Sequence, residues 1–349
     1  MLKTVNRLFL RGASSLFVFL TGAVIAMPQT DNTTDYFDLA RQSNLAQSYK
    51  VAQGLTLVSE NTFPHDVKCL RKDIGNLKIL IDIFSYAYPA TISRGDDSLL
   101  NFRKFLDEGY EIFGDFKDEF DKDPSFKLTL NPYKVSECEY QVPDQINSSI
   151  YSLDKVSKLR NKAQKWAHKY INNLQQIYDL LNAPSTEIVV REKSDLSRFY
   201  WGGLYVVPSE MLSGLDNIRL LQFENTKIAL RDLSSLYSME TIHQYENEET
   251  FHDFRKRVRS LIRVDSFFPA GKNDQDKGKL SLKALDRIVG KFGDLNDLFL
   301  IYHDLKEAGH KKKAKELKET INTQWTYFKD YLKSQNLENR LIEVYSLYR

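Results

Sequence analysis

Glycine and proline are scarce, at 15 and 9 of 349 residues. That argues against a β-rich or α/β chain, whose many tight turns need both. Cysteine is rarer still, at two, and six scattered histidines cannot build a Cys-rich zinc module. No G-x-x-x-x-G-K-[ST], G-x-G-x-x-G or H-E-x-x-H occurs, so nucleotide loops and zincin sites have no support. Neither sign of charge dominates, with 49 Lys+Arg against 47 Asp+Glu. Beyond the first 26 residues no apolar run is long enough to cross a bilayer. What remains is a chain with 42% hydrophobic and 28% charged residues, a soluble globular composition rather than a disordered one. Its length suits one large or two ordinary domains with real cores.

Residues 1–26 carry Lys3, Arg7 and Arg11 and no acid, followed by the apolar run Leu16–Ala26. Val24 and Ala26 sit at the −3 and −1 positions of a small-residue cleavage site. This is the layout of a secretory signal peptide, and it predicts an exported protein, periplasmic or secreted, with no membrane span in the mature chain. Removal of the signal leaves 46 bases against 47 acids, so any attraction for a polyanion must come from local charge. In an oxidising compartment Cys69 and Cys138 are candidates for a disulfide.

In the rest of the chain apolar residues recur at helical spacing, as in Leu77, Ile81 and Phe84 or Leu174, Ile177 and Leu181. Strand-like alternation is confined to Glu187–Val190 and Tyr205–Val207. The expected fold class is all-α, with breaks at Pro89–Asp97, Asp121–Pro143, Ala183–Gly214 and Pro269–Lys279.

Two segments repeat. His65-Asp-Val-Lys68 with Lys72 is matched by His252-Asp-Phe-Arg255 with Arg259. Downstream, Phe113-Gly114-Asp115 with Asp118 is matched by Phe292-Gly293-Asp294 with Asp297. The offsets, 187 and 179 residues, agree within a loop-length difference. The expected division is a signal over 1–26, a first half over 27–240 and a second over 241–349. On a helix His252, Arg255, Lys256, Arg259 and Arg263 share one face, with Phe254, Val258, Leu261 and Ile262 on the other. In the first half His65, Lys68, Lys72 and Asn76 share a face opposite Val67, Ile74, Leu77 and Ile81. Four cations on one face repel unless carboxylates or a polyanion neutralise them.

A third element repeats the habit. Lys158, Lys162, Lys165 and Lys169 lie on one helical face, as do Lys311, Lys315 and Lys318 with Asn322. The acids concentrate elsewhere: residues 107–123 hold eight against two lysines. A near-neutral chain can therefore carry a strongly positive surface.

With its duplicated His-plus-base helix followed by a Gly-x-x-x-Asp stretch, the sequence resembles the CHAD family, named for its conserved histidines. The resemblance covers roughly residues 40–345 and is closest in the second half. It implies two four-helix bundles related by a pseudo-twofold, with the basic helices lining a central groove that binds inorganic polyphosphate. The implied ligand-binding residues are His65, Lys68, Lys72, His252, Arg255, Lys256, Arg259 and Arg263, helped by the seven lysines of the third helices. Asp118 and Asp297 are expected to orient the basic helices, and Gly114 and Gly293 to allow close helix approach. The first half carries lysine where the family usually has arginine.

The expected function is polyphosphate binding without catalysis, cofactor or metal. Two alternatives stand beside it: an interaction module using the aromatic stretch Tyr200–Val207, and a metal-dependent enzyme on phosphate chains using Asp115, Asp118, Asp294 and Asp297. Nucleic acid is not expected as a ligand, because the basic helices lack interleaved stacking aromatics.

Overall fold

The computed structural model describes residues 34–57, 64–88, 99–121, 154–184, 208–209, 211–242, 245–270 and 277–349. Residues 1–26, Cys138, the strand-like stretches and Tyr200–Val207 lie outside them. Among the described residues the chain is all-helical. The helices are α1 (Tyr36–Leu57), α2 (Pro64–Ile83), α3 (Leu99–Asp121), α4 (Asp154–Asn172), α5 (Leu174–Asn182), α6 (Gly214–Ser238), α7 (Tyr245–Phe267), α8 (Lys277–Glu307), α9 (Lys311–Ser334) and α10 (Leu337–Tyr348). A 3-10 turn over Ser85–Ala87 extends α2. None of these helices is long and apolar enough to cross a membrane.

The helix limits follow from local chemistry. Ser213 caps α6, its hydroxyl accepting from the Asp216 backbone N–H at 3.1 Å, the usual role of serine before a first turn. Gly309, at φ +75°, ends α8. Its N–H reaches the Lys306 carbonyl at 3.1 Å, and the His310 N–H reaches that of Leu305 at 2.9 Å. That pair of bonds needs a left-handed residue, which glycine adopts without strain.

Two cores result. The first gathers the apolar faces of α1 to α5 and also takes Ile218 from α6 and Val264 and Phe268 from α7. The second is built from α6 to α10, with Phe251, Phe254, Phe292, Phe299, Trp325 and Phe328 at its centre. The helix α6, placed in the first half by the sequence reading, contributes Ala229, Leu233 and Leu236 to the second core. It packs on α7 and α10 and also touches α1. Two aromatic side chains of the first core are satisfied inside it. The Trp166 indole N–H donates to the Phe105 carbonyl at 3.0 Å, and the Tyr170 hydroxyl meets that of Ser48 at 2.8 Å.

The two cores meet where α2 touches α7. Each of these helices buries one apolar stripe. On α2 it is Val67, Leu70, Ile74 and Leu77; on α7 it is Phe251, Phe254, Val258 and Leu261. The spacing of three, four and three is the same in both, and it leaves the opposite side of each helix for charge.

Candidate functional site

The buried stripes of α2 and α7 align residue for residue at an offset of 184. The His-anchored alignment of the sequence, at 187, is thus displaced by about one helical turn. In the register of the cores, Arg71 occupies the place of Arg255 and Gly75 that of Arg259. Lys68 and Lys72, paired in the sequence reading with Arg255 and Arg259, fall opposite His252 and Lys256 and stand exposed.

A second feature supports this register. The guanidinium of Arg71 lies over Gly114, where an added Cβ would sit 3.1 Å from both Nε and Nη2. The guanidinium of Arg255 lies over Gly293 in the same way, with Nη2 3.7 Å from such a Cβ. Each half therefore lays one arginine from its basic helix across the glycine of its Phe-Gly-Asp motif. The space these glycines provide is filled by a guanidinium, not by a neighbouring helix backbone.

Arg71 and the cations of α7 converge on one aromatic ring, Tyr110 of α3. Arg71 stands 4.6 Å from the ring centroid and Lys78 of α2 stands 4.3 Å from it. Gly75 gives the ring its room: a Cβ there would lie 2.9 Å from Tyr110 Cε2 and 3.3 Å from Arg263 Nη1. The guanidinium of Arg263, from the second half, thus reaches the surface of α2 in the first. Burial would push the Tyr110 phenol up, but the combined field of Arg71, Arg263, Lys78 and Arg259 overrides burial and lowers it.

Arg259 reports the same crowding from the other side. Lost hydration, then Arg255 and Arg263, pull its guanidinium down to about 10, with Arg71 adding to the effect. Among the described residues no carboxylate forms an ion pair with Arg71, Arg259 or Arg263. The buried Nε of Arg71 has no hydrogen-bond partner among them either. Like charges about 4 Å apart repel by about 1 kcal/mol in water, and by more where water is excluded. The cation–π contact with Tyr110 offsets only part of that.

Neighbouring charges take other roles. Lys78 also pairs with Asp107, and Arg103 binds Asp82 at 2.8 and 3.1 Å. Arg257, buried on α7, is held by Asp232 at 3.0 Å and by Asn225 at 3.2 Å. It is a core ion pair and does not belong to the cationic row.

The remaining sequence candidates are dispersed. Lys256 is exposed, 3.7 Å from Asp253. His252 is half-buried, and lost hydration, then Lys256 and Arg255, lower its pKa from 6.5 against the opposing pull of Glu248 and Asp253. Lys158, Lys162, Lys165 and Lys169 are exposed on α4, with the Lys169 ammonium 5.1 Å from the Phe105 centroid. Lys311 and Lys315 are exposed on α9 and Lys318 is half-buried. The cations acting on Tyr110 and Arg259 are those of α2 and α7, and none of these seven lysines is among them. The side chains of His65, Asp118, Asp294 and Asp297 lie outside the described residues.

The sequence reading missed Arg71, Gly75, Lys78 and Tyr110. The burial stripe would have found Arg71, since Leu70, Ile74 and Leu77 match Phe254, Val258 and Leu261 without a gap. Gly75 and Tyr110 had no counterpart in the second half to flag them. Cys69, buried on α2, is disulfide-bonded.

No family model matches the chain, and no curated protein does. Among solved structures it is similar to the crystal structure of the CHAD domain from the plant Ricinus communis. The two share 14% sequence identity at a TM-score of 0.47, over 92% of this chain and 95% of that one.

Proposed function

We propose that this chain is a non-enzymatic polyanion-binding protein of CHAD type, exported from the cytoplasm, whose ligand is inorganic polyphosphate. In this reading the two helical cores are four-helix bundles related by a pseudo-twofold, and their basic helices face a shared groove. The observation that carries it is the convergence of Arg71, Arg259 and Arg263 from both halves on Tyr110, with no carboxylate paired to them among the described residues. Such a cluster costs stability in the free protein and gains it back when a polyanion arrives. Polyphosphate suits it because it is flexible and carries about one charge per unit. Guanidinium groups grip it by charge-assisted hydrogen bonds, and its counterions are released. The signal-like first segment and the bonded state of Cys69 support export, since structural disulfides persist outside the reducing cytoplasm.

The test is a titration of fluorescent long-chain polyphosphate at 50 and 200 mM salt. Binding should weaken roughly ten-fold or more between the two. The double substitution Arg259→Glu/Arg263→Glu should weaken it a further ~100-fold, each reversal acting at close range on the bound chain. A double variant that binds like the parent would remove the proposal.

A further inference from the structure

The ring at the centre of the cation cluster is more than packing. We propose that Tyr110 is the non-cationic ligand of the anion site, binding as a neutral phenol that donates its O–H to a phosphate oxygen while its ring face holds Arg71 and Lys78 in place. The inference rests on the polyanion reading and adds to it a specificity residue and a proton linkage.

The geometry is particular to the first half. In the register of the cores, α7 presents Arg259 where α2 has Gly75, and the space left by that missing side chain admits the edge of Tyr110 and the tip of Arg263 together. In the second half the position matching Tyr110 is Val289, at the offset of the Phe-Gly-Asp motif. One half thus supplies an extra guanidinium, and the other supplies a phenol and the gap that receives it. Among the described residues the Tyr110 hydroxyl has no hydrogen-bond partner. A hydroxyl in a ring of cations can accept nothing useful from a phosphate but can donate to it.

The charged groups around it are known from each packed element. Helix α2 brings Arg71 and Lys78, and α7 brings Arg259 and Arg263. On its own helix Asp107 is already engaged by Lys78 and Arg103. Helix α4, also packed on α3, places Trp166 and Lys169 at Phe105 instead.

The linkage has a definite sign. In the free protein these cations lower the phenol pKa below its ordinary value, so they stabilise the phenolate where it forms. A bound phosphate chain screens the cations and disfavours the phenolate, so the phenol pKa rises on binding. Affinity therefore falls as pH rises through the free-protein value.

The experiment measures polyphosphate affinity at pH 7.5 and 9.5 for the parent, for Tyr110→Phe, and for a protein carrying a trifluorinated tyrosine at position 110. The parent should lose affinity several-fold at the higher pH. Tyr110→Phe should bind about five- to ten-fold more weakly than the parent at pH 7.5, from loss of one charge-assisted hydrogen bond. It should also show a smaller loss on going to pH 9.5. Arg259, lowered to about 10 and itself coupled to Tyr110, adds an alkaline loss of its own, so the phenol is isolated by the shift that fluorination produces and not by the Tyr110→Phe difference alone. The fluorinated residue keeps size and ring, and its lower phenol pKa should move the loss of affinity to lower pH. If the parent binds but Tyr110→Phe matches it at both pH values, or fluorination moves nothing, Tyr110 is not a ligand while the polyanion reading stands. If the parent does not bind, both fall.

Discussion

His252 shows how a single residue registers the basic face of its own helix. Its pKa is depressed, first by lost hydration and then by Lys256 and Arg255. The unfolded chain therefore takes up a proton more readily than the folded one. The stability that this group contributes is full above its ordinary 6.5 and declines as pH falls through the lower folded value. A bound polyanion supplies the missing negative charge and reverses the preference. Polyphosphate affinity should therefore increase on moving from pH 7.5 to 5.5, and His252→Gln should flatten that increase. Equal pH profiles for the parent and His252→Gln, read by the same titration, would exclude a protonated contact there. His252 was legible in the sequence because it opens a repeated motif. Arg71 was not, because anchoring the repeat on His65 shifts α2 by about one turn and sets Lys68 where Arg71 belongs. The helix repeat makes a one-turn slip cheap in charge pattern: bases at three- and four-residue spacing overlay almost as well after it. The apolar stripe resolves the ambiguity, with Leu70, Ile74 and Leu77 matching Phe254, Val258 and Leu261, and an alignment anchored on histidine passes over it.

At the scale of the element, most of the fold was readable. The stripes of α2, α5 and α7 appear directly in the apolar spacing, and the helices stop where proline, glycine and polar residues cluster. Less readable was how closely helices approach. Gly109 of α3 faces the Trp166 indole of α4 so tightly that any Cβ would fall inside van der Waals contact with three of its ring atoms. That indole is fixed by its hydrogen bond to the Phe105 carbonyl and by stacking on Phe105 at 4.8 Å, so it cannot retreat. Alanine is the better helix former by about 1 kcal/mol, but overpacking a fixed ring costs about 1–3 kcal/mol. Gly109→Ala should therefore lower the unfolding free energy by up to about 2 kcal/mol in urea denaturation, and a stabilised variant would contradict the packing described. Sequence alone could not separate Gly109 from Gly114. Both lie on the same helix, yet one accommodates a tryptophan and the other an arginine of the site.

For the whole molecule, the two halves share a plan while exchanging its chemistry. Asp73 of α2 occupies the place of Arg257 of α7, and the polarity of the buried ion pair is inverted. Lys50 of α1 reaches Asp73 at 3.4 Å, whereas Asp232 of α6 accepts from Arg257 at 3.0 Å. The same exchange sets Gly75 against Arg259. The recurrence of two motifs in order is visible in the sequence, but which side chains the contact of α2 with α7 brings together is not, since it depends on packing. The account stands on that convergence, and one measurement addresses it. A double-mutant cycle with Arg71→Gln, Arg259→Gln and their combination, read by calorimetric titration with a short polyphosphate, should give one site per chain. The double variant should depart from additivity by at least about 0.5 kcal/mol, as residues acting on one ligand do. Two sites per chain, each sensitive to only one of the two substitutions with strictly additive losses, would mean that the halves bind separately and share no groove.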